Sequence, residues 1–292
     1  MTITLDNTLL RLEVAPEVGG SVVRFEALRK DGPIDLFRPG SSRDTDPNRM
    51  ALYPLVPWSN RISGGGFEWQ GEHYPLEPNR DDQRFPIHGD AWQQEWTVRQ
   101  QTTNQLTLGL ESRHQPPFDY RASLIYRIDG AALTVELVVT HLGERPAPYG
   151  MGVHPWFMRT GDVRIDAPSD GVWEGDEDQL PTCWRAIADK PEWDLRRDGA
   201  LPDDKIDNLF TGWNGHARLR WPSRDLTLYI DTDPACPRYL VYSPGASADF
   251  FCFEPVTHDV DAHHRQVPLD HGLIELGKGQ TIRSRFRFQV TA

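Results

Sequence analysis

Apolar and polar side chains alternate in short runs along this chain, the period of half-buried strands, and no long stretch carries a convincing helical period. Residues 9–14 and 21–28 read as extended runs, with the breaker cluster Ala-Pro-Glu-Val-Gly-Gly between them suited to a hairpin or corner. Residues 38–48 are polar and punctuated by Pro39, Gly40 and Pro47, which predicts a loop, and Pro54 and Pro57 exclude a regular helix over 51–62. Residues 67–76 alternate around Gly71 as a two-stranded ribbon would, and the charged stretch 77–86 is expected at the surface.

The strongest local signal is Asp129-Gly130 between the alternating runs 122–128 and 131–142, which predicts a type I′ hairpin because both central residues need positive φ. Leu124, Tyr126 and Ile128 share one face, and Leu133, Val135, Leu137 and Val139 share another. Asn214-Gly215 is a second such signal, joining 209–213 to 217–221. Residues 157–205 have little periodicity and read as long connections with short strands. Further strands are predicted at 226–230, 239–242 and 249–253. The last, 281–290, alternates Ile282, Phe286, Phe288 and Val290 with Arg283, Arg285, Arg287 and Gln289, one side for a core and one for water. Many short strands, no internal repeat and no glycine-rich phosphate loop predict an all-β fold: one large antiparallel β-sandwich as a single domain over 1–292.

Composition narrows the function classes. The 292 residues are 25% charged and 38% hydrophobic, which suits a soluble globular chain, and no apolar run approaches a membrane span. A formal charge of −12 without a Lys/Arg block argues against nucleic acid as a partner. The N-terminus lacks a signal-peptide pattern, so the expected location is cytoplasmic. Cys183, Cys236 and Cys252 are odd in number and widely spaced, so free thiols are expected rather than disulfides or a thiolate zinc site. A monomer is preferred, with a dimer open.

Several short segments could carry chemistry, each with a plainer competitor. Asn60-Arg61-Ile62 precedes a glycine run, and Arg61 is either a donor to ligand oxygens or half of a surface salt bridge. His88 stands between Ile87 and Gly89, where a structural histidine is the commoner finding. His154 lies in Tyr149-Gly150-Met151-Gly152-Val153-His154-Pro155-Trp156-Phe157: the glycines permit close backbone approach and Pro155 holds the His extended. Trp156 is a candidate face for the C–H side of a sugar ring, or core. Asp207 sits at the mouth of the second predicted hairpin as a hydroxyl acceptor or a turn cap. Glu254 ends a strand of bulky apolar residues, as a general base or an exposed strand terminus. His258, Asp259, Asp261, His263, His264 and His271 form the densest metal-like cluster, yet their spacing matches no zinc motif and a solvated loop is expected.

Taken in order, Asn60-Arg61-Ile62, His88-Gly89, His154-Pro155-Trp156-Phe157, Asp207-Asn208-Leu209-Phe210 and Glu254-Pro255 resemble the aldose 1-epimerase (galactose mutarotase) family, over essentially the whole chain. The resemblance implies a broad sugar cleft on one sheet of a galactose mutarotase-like sandwich. It further implies Glu254 as general base, His154 as general acid, and Asn60, Arg61, His88, Asp207 and Trp156 as substrate-binding residues, with no cofactor or metal. Family members often carry Tyr where Trp156 stands, a departure that bears on which sugar is used. Two other functions compete: a glycoside hydrolase with Glu254 and Asp207 as its carboxylate pair, and a non-catalytic sugar-binding protein stacking sugars on Trp58, Trp92 and Trp156. Arg61, Arg80 and Arg84 suit a phosphorylated or sulfonated sugar or, as the favoured reading, are solvated loop charges.

Overall fold

The computed structural model describes residues 2–196, 198–232 and 236–291. Two antiparallel sheets dominate it. The larger has eleven strands, with Leu52–Leu55, Gly152–Met158, Phe250–Val256, Arg238–Ser243 and Ile206–Thr211 side by side at its middle. The smaller has nine, built around Phe118–Asp129, Ala132–His141 and Thr281–Thr291. Among the described residues no helical segment exceeds the four residues of Pro268–His271, and no helix is long and apolar enough to cross a membrane. The all-β sandwich expected from the alternating pattern is what forms.

One apolar core fills the space between the sheets. Phe37 shows the join: its ring meets Phe157 of the larger sheet at 5.3 Å and Phe288 of the smaller at 5.1 Å. In the final strand Phe286 and Phe288 are buried, as their alternation with arginines predicts. The larger sheet is covered on its outer side as well. A second apolar cluster, including Tyr53, Trp92, Trp156, Leu240 and Cys252, lies there. The middle strands therefore have two buried faces, and Leu52–Leu55 shows no exposed position at all. Because side chains alternate across a strand, Phe157, Phe251 and Phe253 serve the inner core while His154, Trp156, Cys252 and Glu254 project outward.

The hairpin signals need correction in detail. Strands Phe118–Asp129 and Ala132–His141 do pair, but the register puts Asp129 opposite Ala132, so Gly130 and Ala131 are the central turn residues. Of the two only Gly130 has positive φ, +54°, so the turn is not type I′. The register also sets Leu124 opposite Leu137 and Tyr126 opposite Val135, so the two predicted apolar faces are one. Asn214-Gly215 joins no hairpin. Ile206–Thr211 pairs with Arg238–Ser243 in the larger sheet and His216–Trp221 pairs with Leu226–Thr232 in the smaller, so residues 212–215 carry the chain between layers. Turn chemistry reports a local reversal and is silent about the sheet to which the next strand goes. The ribbon Gly66–Trp69 with Glu72–Pro75 matches its prediction, with Gln70 and Gly71 both at positive φ.

Candidate functional site

Asn60, Arg61, His88, His154, Trp156, Asp207 and Glu254 line one cavity of about 520 Å³ on the outer face of the larger sheet. Sheet register does the gathering. Gly152 pairs with Val256 and Trp156 with Cys252, which brackets His154 against Glu254, and their Nε2 and Oε1 atoms lie 3.2 Å apart. Both side chains are buried, at 6% and 3% exposure. Glu254 is not at a strand end, as the sequence suggested, but inside Phe250–Val256. Asp207, placed by sequence at a hairpin mouth, stands instead on Ile206–Thr211 opposite Tyr242.

The His154 ring is fixed between aromatic neighbours. Tyr53, its cross-strand partner, stacks on it at 4.6 Å and Trp156 at 5.2 Å, while His88 meets it edge-on at 5.2 Å. Tyr53 is held in turn by donating to Asn48 Oδ1 at 3.0 Å. The Trp156 ring also carries the Arg38 guanidinium 4.0 Å from its centroid. Three buried polar atoms of this wall, His154 Nδ1, Glu254 Oε2 and the Trp156 indole nitrogen, have no hydrogen-bond partner in the protein. Such atoms are uncommon in folded proteins.

The loops bring in the remaining groups. Asn60 and His88 both adopt left-handed backbone conformations, φ +56° and +64°. They are tied reciprocally: the His88 N–H donates to the Asn60 carbonyl, and the Asn60 N–H donates to His88 Nδ1 at 3.0 Å. A neutral His88 whose Nδ1 accepts carries its proton on Nε2. Asn60 Oδ1 accepts from Arg61 Nη1, and Arg61 Nη2 donates to Gln83 Oε1 at 3.2 Å. Arg61 thus lines the cavity through contacts with neutral amides. Arg80 and Arg84, expected as solvated charges, line the same cavity, bonded to Asp82 and Asp178. Residues 80 and 82–85 of this largely exposed stretch are therefore part of the site wall, along with Tyr53, Tyr242 and Gln179, which no sequence signal singled out. Trp58 and Trp92 cannot serve as sugar platforms: Trp58 is buried against Phe118, and Trp92 lies beneath Tyr53 with its indole N–H on the Gly89 carbonyl.

Burial works against charge on the central groups. It lowers His154 to about 3, with Arg38 adding to the effect. It pushes Glu254 well above the usual carboxylate range, helped by Asp207 and opposed by Arg61. Asp207 is raised by burial against the pull of Arg61 and Lys205, and His88 is held well below its ordinary value by burial and then by His154.

The His-rich segment after Glu254 is solvated only in part, with His264 exposed. His258, Asp259 and His263 are buried, and none of these three lines the cavity. His258 Nε2 accepts from the Ser59 N–H at 2.9 Å and its Nδ1–H donates to the Asp259 carbonyl, bracing the loop that carries Asn60 and Arg61. Asp261 accepts from the Ser63 N–H and hydroxyl, and Asp259 holds Arg238 and His271. Among the described residues the one group of ligand atoms close enough to share a cation is instead His154, Cys252 and Glu254. Gly150 earns its place here, since a Cβ there would land on the His258 ring. Gly150→Ala is expected to lower stability by about 1–3 kcal/mol and to loosen the 59–61 loop, seen as a lower unfolding temperature together with faster amide exchange at residues 59–61.

Comparison with known proteins bears on the chain as a whole. The family model described as aldose 1-epimerase matches residues 1–289. The uncharacterized protein YphB of Escherichia coli K12 is 34% identical over 305 residues, 99% of each chain. A crystal structure of a candidate aldose 1-epimerase from E. coli K12 is 33% identical, with a TM-score of 0.92 over 100% of this chain and 99% of the other. A galactose mutarotase-like protein from Clostridium acetobutylicum, at 18% identity, shares the fold with a TM-score of 0.86 over 99% and 95% of the two chains.

Proposed function

The chain belongs to the aldose 1-epimerase family, and on that premise we propose that it interconverts the α and β anomers of an aldose by acid–base ring opening, with Glu254 as base and His154 as acid. The observation that carries the reading is the buried pair itself, a carboxylate and an imidazole 3.2 Å apart on one cavity wall, each with a further polar atom lacking a protein partner.

The reaction needs two proton movements. Glu254 takes the proton of the C1 hydroxyl while His154 gives one to the ring oxygen, and the bond between C1 and that oxygen breaks. The aldehyde turns about the C1–C2 bond, and the reverse transfers close the ring on its other face. Charged Glu254 with protonated His154, and neutral Glu254 with neutral His154, hold the same number of protons. The cycle alternates between these two forms and exchanges no proton with solvent. Burial favours the neutral form, which belongs to the open sugar. Arg61 opposes it at Glu254. Positioned proton transfer contributes about 10²–10⁴-fold, adequate for a reaction that also proceeds in water without help. Asp207 and Asn60 present acceptors, and Arg61 and His88 donors, for the other sugar hydroxyls.

The test is anomer exchange followed by NMR or optical rotation, with fresh α-D-glucose, α-D-galactose and a panel of neutral, phosphorylated and sulfonated aldoses. Acceleration without cleavage of glycosides is expected. If folded protein accelerates none of them, the reading fails. Reducing sugar released from glycosides would point to hydrolysis using Glu254 and Asp207, and saturable binding without exchange would point to a sugar-binding protein.

A further inference from the structure

The proton transfers above leave one neighbouring group unused. Cys252 precedes Glu254 by two residues, so both side chains leave the same face of Phe250–Val256, and its cross-strand partner is Trp156, two residues after His154. One ligand atom from each of Cys252, His154 and Glu254 lies within 4.8 Å of the others. Cys252 is fully buried, and Glu254 Oε2, in a side chain almost wholly enclosed, has no partner in the protein.

We propose that Cys252, His154 and Glu254 form a binding site for a thiophilic divalent cation, zinc above all, and that its occupancy blocks the proton-transferring pair. One thiolate, one imidazole and one carboxylate make a zinc-type ligand set that leaves a fourth position open, here toward the cavity that His154 and Glu254 line. Tetrahedral zinc with bonds of about 2.0–2.3 Å needs donors about 3.3–3.8 Å apart. The ligand atoms, within 4.8 Å of one another, would draw together by about 1 Å on binding.

Charge favours the same ion. Thiolate and carboxylate together neutralise a divalent cation beside a neutral imidazole, so the loaded site carries no net charge in its buried surroundings. Binding releases the thiol proton, and any proton on Glu254, to solvent as the metal–sulfur and metal–oxygen bonds form. Magnesium and calcium prefer all-oxygen ligand sets and are not expected to compete. Metal binding stands apart from the proposed mutarotation. Only its inhibitory consequence rests on that reading, because the ion would occupy the atoms that move protons.

Cadmium is the direct probe. Titrating the sugar-free protein should raise the near-ultraviolet thiolate-to-cadmium charge-transfer absorption, saturating at one ion per chain, with displacement by zinc. Cys252→Ser and Cys252→Ala should abolish the band, and Cys183→Ser should retain it, with thermal unfolding checked for each. Zinc should slow anomer exchange competitively with sugar, and Cys252→Ser should weaken that inhibition about 10-fold or more relative to its own metal-free rate. A band that survives Cys252 replacement, no band at millimolar cadmium, or zinc inhibition indifferent to Cys252 would overturn the proposal. If cadmium binds through Cys252 while no aldose is turned over, the site stands and the mutarotase reading falls.

Discussion

Glu254→Gln is expected to slow anomer exchange by about 10²–10⁴-fold, because the amide fills the same space but cannot take the C1 hydroxyl proton. His154→Asn should cost a similar factor. The double variant should be little worse than the poorer single one, since the two side chains act as a unit. Stability should move the other way. Burial raises Glu254 above its unfolded value, so its contribution is present below the unfolded value and is lost as pH rises through the folded one. At neutral pH the buried carboxyl is therefore a liability, and Gln should leave the unfolding temperature unchanged or higher. Exchange NMR combined with thermal unfolding reads both effects. Full activity in a folded Glu254→Gln protein would dismiss Glu254 as the base.

Acid should destabilise the fold well before its carboxylates titrate out. His88, His154, His258 and His263 are all held below their ordinary values by burial, His258 to about 4. Between about pH 6.5 and those folded values the unfolded chain takes up protons that the folded chain refuses, so stability falls with pH. For His258 alone the loss by pH 4 is about 3 kcal/mol at 1.36 kcal/mol per pKa unit. Glu254 runs opposite and offsets part of the His154 term. Half-buried Asp162, lowered to about 2 by its bonds with Thr160 and Ser223, weakens the fold only at still lower pH. Urea unfolding from pH 7 to 4 should show the decline, and His258→Gln should flatten part of it. A level profile from pH 7 to 4.5 would contradict the account.

Period-two alternation made the strand class legible, because it follows from which face each side chain takes. The cavity residues Arg61, His88, His154, Asp207 and Glu254 were legible as an ordered set of short motifs, although none stood out alone. What stayed hidden depends on pairing between distant strands. Tyr53 beneath His154, Tyr242 opposite Asp207 and Cys252 opposite Trp156 are products of register. Asn214-Gly215 looked like a hairpin because nothing local tells a turn within one sheet from a step between two. His258 and His263 looked solvated because polar letters dominate their segment, whereas Ser59, Asp259 and a ring of aromatics supply their surroundings. Trp156 shows both limits: it lies on the cavity wall as expected, while Arg38 and His154 already contact the ring a sugar was expected to use.

The double-sided burial of Gly152–Met158 and Phe250–Val256 makes core and chemistry share one reading frame. A one-residue deletion within either strand would exchange the two faces, sending His154 or Glu254 toward the hydrocarbon interior and Phe157 or Phe253 toward the cavity. An indel here would therefore disrupt the core and the candidate site together. Residues 80, 82–85 and 177–179 touch the cavity from loops instead, where a change of length leaves both faces of these strands in place. On the proposed function, changes there would alter the sugar admitted and leave the His154–Glu254 pair in place.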